Sequence, residues 1–163
     1  MVKKLSIYSV LVVLMCSCIN EQQQGANLTV GDSLPEFQVQ MSNGVIVSNL
    51  TLQGTPALIV FFNTGCPDCQ RELPIVQQLY LQMSNNEVQV VCISRAQTET
   101  EVAAYWFENQ FTMPFSAQPD RRVYELFAQT RIPRLYAVNA EGIIIAMWDD
   151  RDMPSVEDIK AAF

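Results

Sequence analysis

A chain of 163 residues, 49% hydrophobic and only 17% charged, is long enough for one well-buried domain and leaves no second domain to find. Its 17 acids against 10 bases give a net charge of −7, and with no basic cluster in the body of the chain a nucleic-acid partner is not expected. The count of zero histidines excludes a Cys-His dyad, a histidine-ligated haem and most catalytic zinc sites, so thiols and carboxylates must carry any chemistry.

Residues 1–18 read as a signal peptide: Lys3 and Lys4 form a basic start, an apolar stretch runs from Leu5 to Met15, and a small residue precedes Cys18. The stretch is shorter than the roughly 20 apolar residues that cross a bilayer. Met15-Cys16-Ser17-Cys18 resembles a bacterial lipobox, which would place lipid on Cys18; an ordinary secretory signal is the alternative. A glutamine-rich polar tether over residues 19–27 then leads to a folded domain over 28–163. Either way the chain is expected to be exported, and with lipid it would be anchored at a bacterial membrane facing the periplasm or the cell exterior. Of the five cysteines, Cys66, Cys69 and Cys92 then remain in the folded body, which is no structural disulfide framework.

Along that body the elements alternate in type, the pattern of an α/β domain. Phe37 to Met41 and Val45 to Val47, joined through Ser42-Asn43-Gly44, predict an N-terminal β-hairpin. Ala57 to Phe62 is a continuous apolar run, as expected for a strand covered on both faces, and it delivers the chain to Cys66-Pro67-Asp68-Cys69. A helix follows from about Cys66 to Met83, with Cys69, Leu73, Val76, Tyr80 and Met83 on one stripe. Pro74 removes one backbone donor within it. Val88 to Ser94 predicts a central strand in which Cys92 is read as an inert core thiol, a resolving partner for Cys66 being the alternative. Thr98 opens another helix to about Gln110, and Arg121 to Gln129 predicts one more. Two strands, Arg131 to Asn139 and Ile143 to Trp148, then form a hairpin with Pro133 at its mouth, and Pro154 to Phe163 closes the chain as a helix.

The Cys66 and Cys69 pair carries the chemistry. Two cysteines at i and i+3 in the first turn of a helix can reach the Cα separation that a disulfide requires, and the unsatisfied N–H groups there favour a thiolate. Cys69 points to the core, whereas Cys66 at the open end of the stripe has the better access and is the expected attacking thiol. Glu72, one turn beyond Cys69, is the acid within reach of the buried thiol, although most helix glutamates are simply solvated. Asp68, between the cysteines, is read as a solvated loop acid, and Arg131 with Arg134 as solvating charges that could steer acidic partners.

The ordered set Val30-Gly31-Asp32, Leu34-Pro35-Glu36-Phe37, Gly44, Asn49-Leu50, Gly54, Cys66-Pro67-Asp68-Cys69 and Glu72-Leu73-Pro74 resembles the TlpA-like branch of the thioredoxin superfamily. The closing Met113-Pro114-Phe115, Asp120, Ile132-Pro133 and Ala137-Val138-Asn139 with Glu141-Gly142 resembles that family's ending, so nearly the whole mature chain is covered. The resemblance implies a thioredoxin-like fold, a central mixed sheet flanked by helices with the N-terminal hairpin added, and an exported thiol-disulfide oxidoreductase. It implies Cys66 as nucleophile, Cys69 as resolving thiol, Glu72 as the acid near the dithiol, and a cis Ile132-Pro133 bond packed against it. Ordinary thioredoxins place a buried aspartate on the preceding strand, where this chain has Val60. Gly65 stands where the family often has tryptophan, and Arg134 where a small hydroxyl residue is common.

The expected partners are protein dithiols or disulfides and a membrane redox partner, with the chain a monomer that needs no cofactor and no metal. Two other functions compete. A peroxiredoxin-like thiol peroxidase shares the opening Gly31 to Phe37, but such enzymes carry Thr or Ser three places before the attacking cysteine, where Asn63 stands. A non-enzymatic metal-binding protein could use the two thiolates, but no second pair or histidine completes a tetrahedral site.

Overall fold

A computed structural model of the chain describes residues 27–83 and 87–163. The expected signal segment, Cys18 and all but the last residue of the tether lie outside the described residues.

The apolar run Ala57–Phe62 forms the central strand, β3, and all six of its residues are buried. It can be so because it has neighbours on both sides. β4 (Gln89–Ser94) pairs with it in parallel and β6 (Arg134–Val138) antiparallel, while β5 (Phe115–Ser116) lies outside β4 and β7 (Ile144–Asp149) outside β6. The result is a five-stranded mixed sheet in the order β5-β4-β3-β6-β7. The expected hairpin is present as a separate two-stranded sheet, β1 (Gln38–Gln40) with β2 (Ile46–Ser48), turned at Gly44 with φ of 83°. It clasps the edge at β5: the Ser42 N–H donates to Phe115 O at 2.6 Å, and the Phe115 N–H donates to Ser42 Oγ at 3.2 Å.

Side chains alternate across a strand, so neighbouring Phe61 and Phe62 serve opposite faces. Phe61 packs against Tyr124, Phe127 and Tyr136, and Phe127 in turn meets Phe37. Phe62 packs against Trp106, which also meets Phe111 and Phe115. The helices α1 (Pro67–Gln82), α2 (Glu99–Glu108), α3 (Arg122–Glu125) and α4 (Val156–Ala161) complete the two outer layers. Thr98 and Ser155 open α2 and α4 with reciprocal capping boxes.

Three elements differ in extent from the sequence reading. The helix expected over 121–129 is only the single turn of α3, because the chain beyond it bends so that Leu28 N–H can donate to Phe127 O and Tyr124 Oη can meet the carbonyls of Thr130 and Arg131. β5 was not expected at all: its two residues follow Pro114 and carry no periodicity to detect. In α1 the buried face is Cys69, Glu72, Leu73, Val76, Gln77 and Leu79, so the stripe leaves Tyr80 and Met83 only partly covered. A 3.6-residue turn drifts away from a strict alternation of threes and fours.

A candidate dithiol active site

β3 ends at Phe62, at the carboxyl edge of the parallel strands where open α/β sheets place their ligands. Of the three residues that follow, Asn63 and Thr64 are held by long-range contacts and Gly65 by a local one. Asn63 accepts from the Gly65 N–H through Oδ1 at 2.9 Å and donates through Nδ2 to Arg95 O at 3.0 Å. Gln97 grips Thr64 twice: its Oε1 accepts from the Thr64 N–H at 2.8 Å, and its Nε2 donates to Thr64 Oγ1 at 2.6 Å. These bonds fix the approach to Cys66. Gln97 itself follows Ala96, a non-glycine residue at φ of 55°.

Cys66 is the N-cap of α1, with extended φ and ψ of −88° and 120°, and Pro67 follows at the first helical position, where its missing N–H costs nothing. The Cys66 thiol is half-buried and donates to Ile132 O at 3.6 Å. Cys69, in the first turn, is completely buried. Burial is the main cause that pushes its thiol well above the ordinary cysteine range, and the neighbouring Cys66 adds to it; a hydrogen bond from the Asn63 backbone and the charge of Arg95 oppose the rise. Both thiols are free.

Glu72 is 0% exposed, and neither carboxyl oxygen has a hydrogen-bond partner. Burial alone pushes its pKa up to about 7. A glutamate one turn from a buried thiol, desolvated and unpaired, is poised to hold or release a proton at neutral pH.

The fourth expected residue, Pro133, follows a cis peptide bond at Ile132. The segment before it is tied down on several sides. Tyr124 Oη lies 2.5 Å from both Thr130 O and Arg131 O, Arg134 Nε donates to Thr130 O at 3.2 Å, and Arg131 Nη1 pairs with Asp150 at 2.9 Å. The ring of Tyr124 is covered by the Arg95 guanidinium, 4.9 Å from its centroid. The structure thus brings Cys66, Cys69, Glu72 and the loop of Pro133 to one end of the sheet.

Three expectations at single residues are adjusted. Arg134, read as solvating charge, is only 6% exposed and serves as an internal strut. Asp68 is paired with Arg71 across one turn of helix. Cys92 is fully buried, as read, with its Sγ 3.7 Å from Met113 Sδ. Gln97, Arg95 and Tyr124 were not singled out for the site, because their partners lie far off in sequence and no local pattern announces them.

Comparison with known proteins agrees with this architecture. The thiol-disulfide oxidoreductase ResA of Oceanobacillus iheyensis is 28% identical over 145 residues, covering 83% of this chain and 76% of that protein. Among solved structures, the thioredoxin domain of a thiol-disulfide oxidoreductase from Bacteroides vulgatus superposes with a TM-score of 0.69 at 21% identity, covering 83% of this chain and 95% of that one. StoA from Bacillus subtilis gives 0.68 at 20% identity, covering 79% and 96%. The fold is therefore thioredoxin-like. A model of the AhpC/TSA family matches residues 30–147, most of the chain including the whole dithiol segment, and the protein belongs to that family.

Proposed function

We propose that the chain is an exported thiol-disulfide oxidoreductase that exchanges disulfides with protein substrates through Cys66 and Cys69. The Cys66 thiolate attacks a substrate disulfide, forming a mixed disulfide and expelling the first substrate thiolate. Cys69 then attacks Cys66 Sγ, releasing the second substrate thiolate and leaving Cys66-Cys69 oxidised; two electrons pass to the substrate. The reverse order oxidises a dithiol.

The asymmetry of the pair carries this assignment: a half-exposed thiol at a helix N-cap stands beside a fully buried one. Glu72 accepts the Cys69 proton at the second step, since burial keeps that thiol protonated and the one buried carboxyl without a hydrogen-bond partner among the described residues lies a turn away. The Pro133 loop walls the dithiol where Ile132 O meets Cys66 Sγ. The names of the relatives point to the same reaction. Export rests on the sequence of residues 1–18, with Cys18 as the lipid-bearing residue and a membrane redox partner renewing the dithiol.

A thiol peroxidase is the alternative, favoured by a similarity of fold to PrxQ of Xylella fastidiosa at a TM-score of 0.68 and 13% identity. Against it, the Asn63 side chain is committed to Gly65 and Arg95 and offers no hydroxyl. A metal-binding role finds two thiols but no gathered group of three or more acidic, cysteine or histidine ligands among the described residues.

Insulin reduction by wild type and by Cys66→Ser decides the matter. The wild type is expected to precipitate insulin chains in the presence of dithiothreitol at a rate that the variant loses; equal rates in the two would refute the assignment, and rapid turnover of hydrogen peroxide by Cys66 would favour the peroxidase.

A further inference from the structure

The segment leading to Cys66 forms one wall of an open groove of about 480 Å³, and α2 forms the other. Asn63, Thr64 and Gly65 line the first side; Glu101, Tyr105 and Glu108 line the second. The two glutamates are seven positions apart on the helix, so they lie on one face about 10 Å apart along the axis with Tyr105 between them.

None of the lining residues is basic, and neither glutamate takes part in an ion pair among the described residues. Hydrogen bonds from Thr98 hold the Glu101 carboxyl below the usual range, so it is charged at neutral pH. Tyr105 remains protonated, its pKa raised by burial and by the Cys69 sulfur nearby, and its ring stands against Trp106 and Phe111. Glu108 sits in the last turn of α2, where the negative end of the helix disfavours an acid and no basic residue offsets it. A locally unfavourable charge on the wall that faces the Asn63 to Gly65 segment is the kind of departure that function explains.

The geometry points to this groove as a substrate-docking wall that selects disulfides whose cysteine is flanked by a basic residue. The cation would lie between Glu101 and Glu108 over the Tyr105 face, while the substrate sulfur reaches Cys66. It rests on the exchange activity proposed above and adds to it the chemical class of substrate.

Three cysteine peptides of equal length test it, each with Lys, Gln or Glu before the cysteine and each carried as a mixed disulfide with 5-thio-2-nitrobenzoate. The pre-reduced full chain is mixed with each in single turnover. Attack of Cys66 on the peptide sulfur releases the coloured thiolate, and Cys69 then frees the peptide thiolate. The wild type is expected to favour the Lys over the Glu peptide by about fivefold at low ionic strength, falling toward parity at ~0.5 M salt. Glu108→Gln should lower the ratio, and Glu101→Gln with Glu108→Gln should abolish it. Glu141→Gln, in the β6–β7 turn at the opposite end of the sheet, should leave it alone. Gln at position 101 can still close the capping box, and circular dichroism of each variant confirms the fold. A Lys-to-Glu ratio that is equal in the wild type and both groove variants overturns the docking wall while exchange itself stands. Absence of exchange with all three peptides overturns both.

Discussion

A carboxyl buried without a hydrogen-bond partner holds its proton over a pH range in which an exposed glutamate is ionised, and Glu72 is such a group. Its folded pKa is raised from 4.5 to about 7 by burial, so the folded protein binds that proton more tightly than the unfolded chain. The stability this gives is fully present below about 4.5 and is lost as pH rises through about 7, a change of roughly 3 kcal/mol. Urea denaturation of the reduced protein at pH 5 and pH 8 should show it, and Glu72→Gln should be more stable than wild type at pH 8 with a flattened profile. The same variant should slow the step in which Cys69 closes on Cys66 by about 10²-fold and remove the inflection near neutral pH. The paired cysteines were legible from spacing alone. The burial of Glu72 was half-legible: its place on the helix is in the sequence, but the absence of any partner depends on what surrounds it. Arg134 was misjudged because its neighbours Thr130 and Tyr124 meet it only through a loop that no periodicity describes.

At the scale of elements, strong local signals were the readable ones. The unbroken apolar run of β3 and the Thr98 to Glu101 cap of α2 fell where expected, since each is written within a few consecutive residues. The cap also admits a direct test. Thr98 Oγ1 accepts from the Glu101 N–H, and Glu101 Oε2 accepts from the Thr98 N–H and hydroxyl at 2.7 and 2.6 Å. Thr98→Ala should cost about 1 kcal/mol, seen as a melting temperature lower by about 3 to 5 °C. What stayed hidden were β5 and the end of α3, whose limits are set by tertiary bonds: β5 exists through pairing with β4, and α3 stops where Tyr124 is drawn to the carbonyls of Thr130 and Arg131.

For the whole molecule, Phe61 and Phe62 join the sheet to two aromatic layers, and the layer under Phe61 ties the N-terminal segment to the rest through Phe37 and Phe127. Phe61→Ala should therefore destabilise the fold by about 3 to 5 kcal/mol, measured by the denaturation midpoint. It should also loosen residues near Leu28, whose N–H is bonded to Phe127 O, detected as faster amide exchange there. Cys92, sealed between β3 and β5 and touching Met113, should resist iodoacetamide until denaturant is added, whereas Cys66 reacts in the native state.

The clasp of Ser42 upon Phe115 has a colloidal meaning. It occupies both outward backbone groups of that rim residue, so a stray extended chain finds no ladder there on which to graft itself. The rim at β5 is thereby removed as one seed from which fibres would grow.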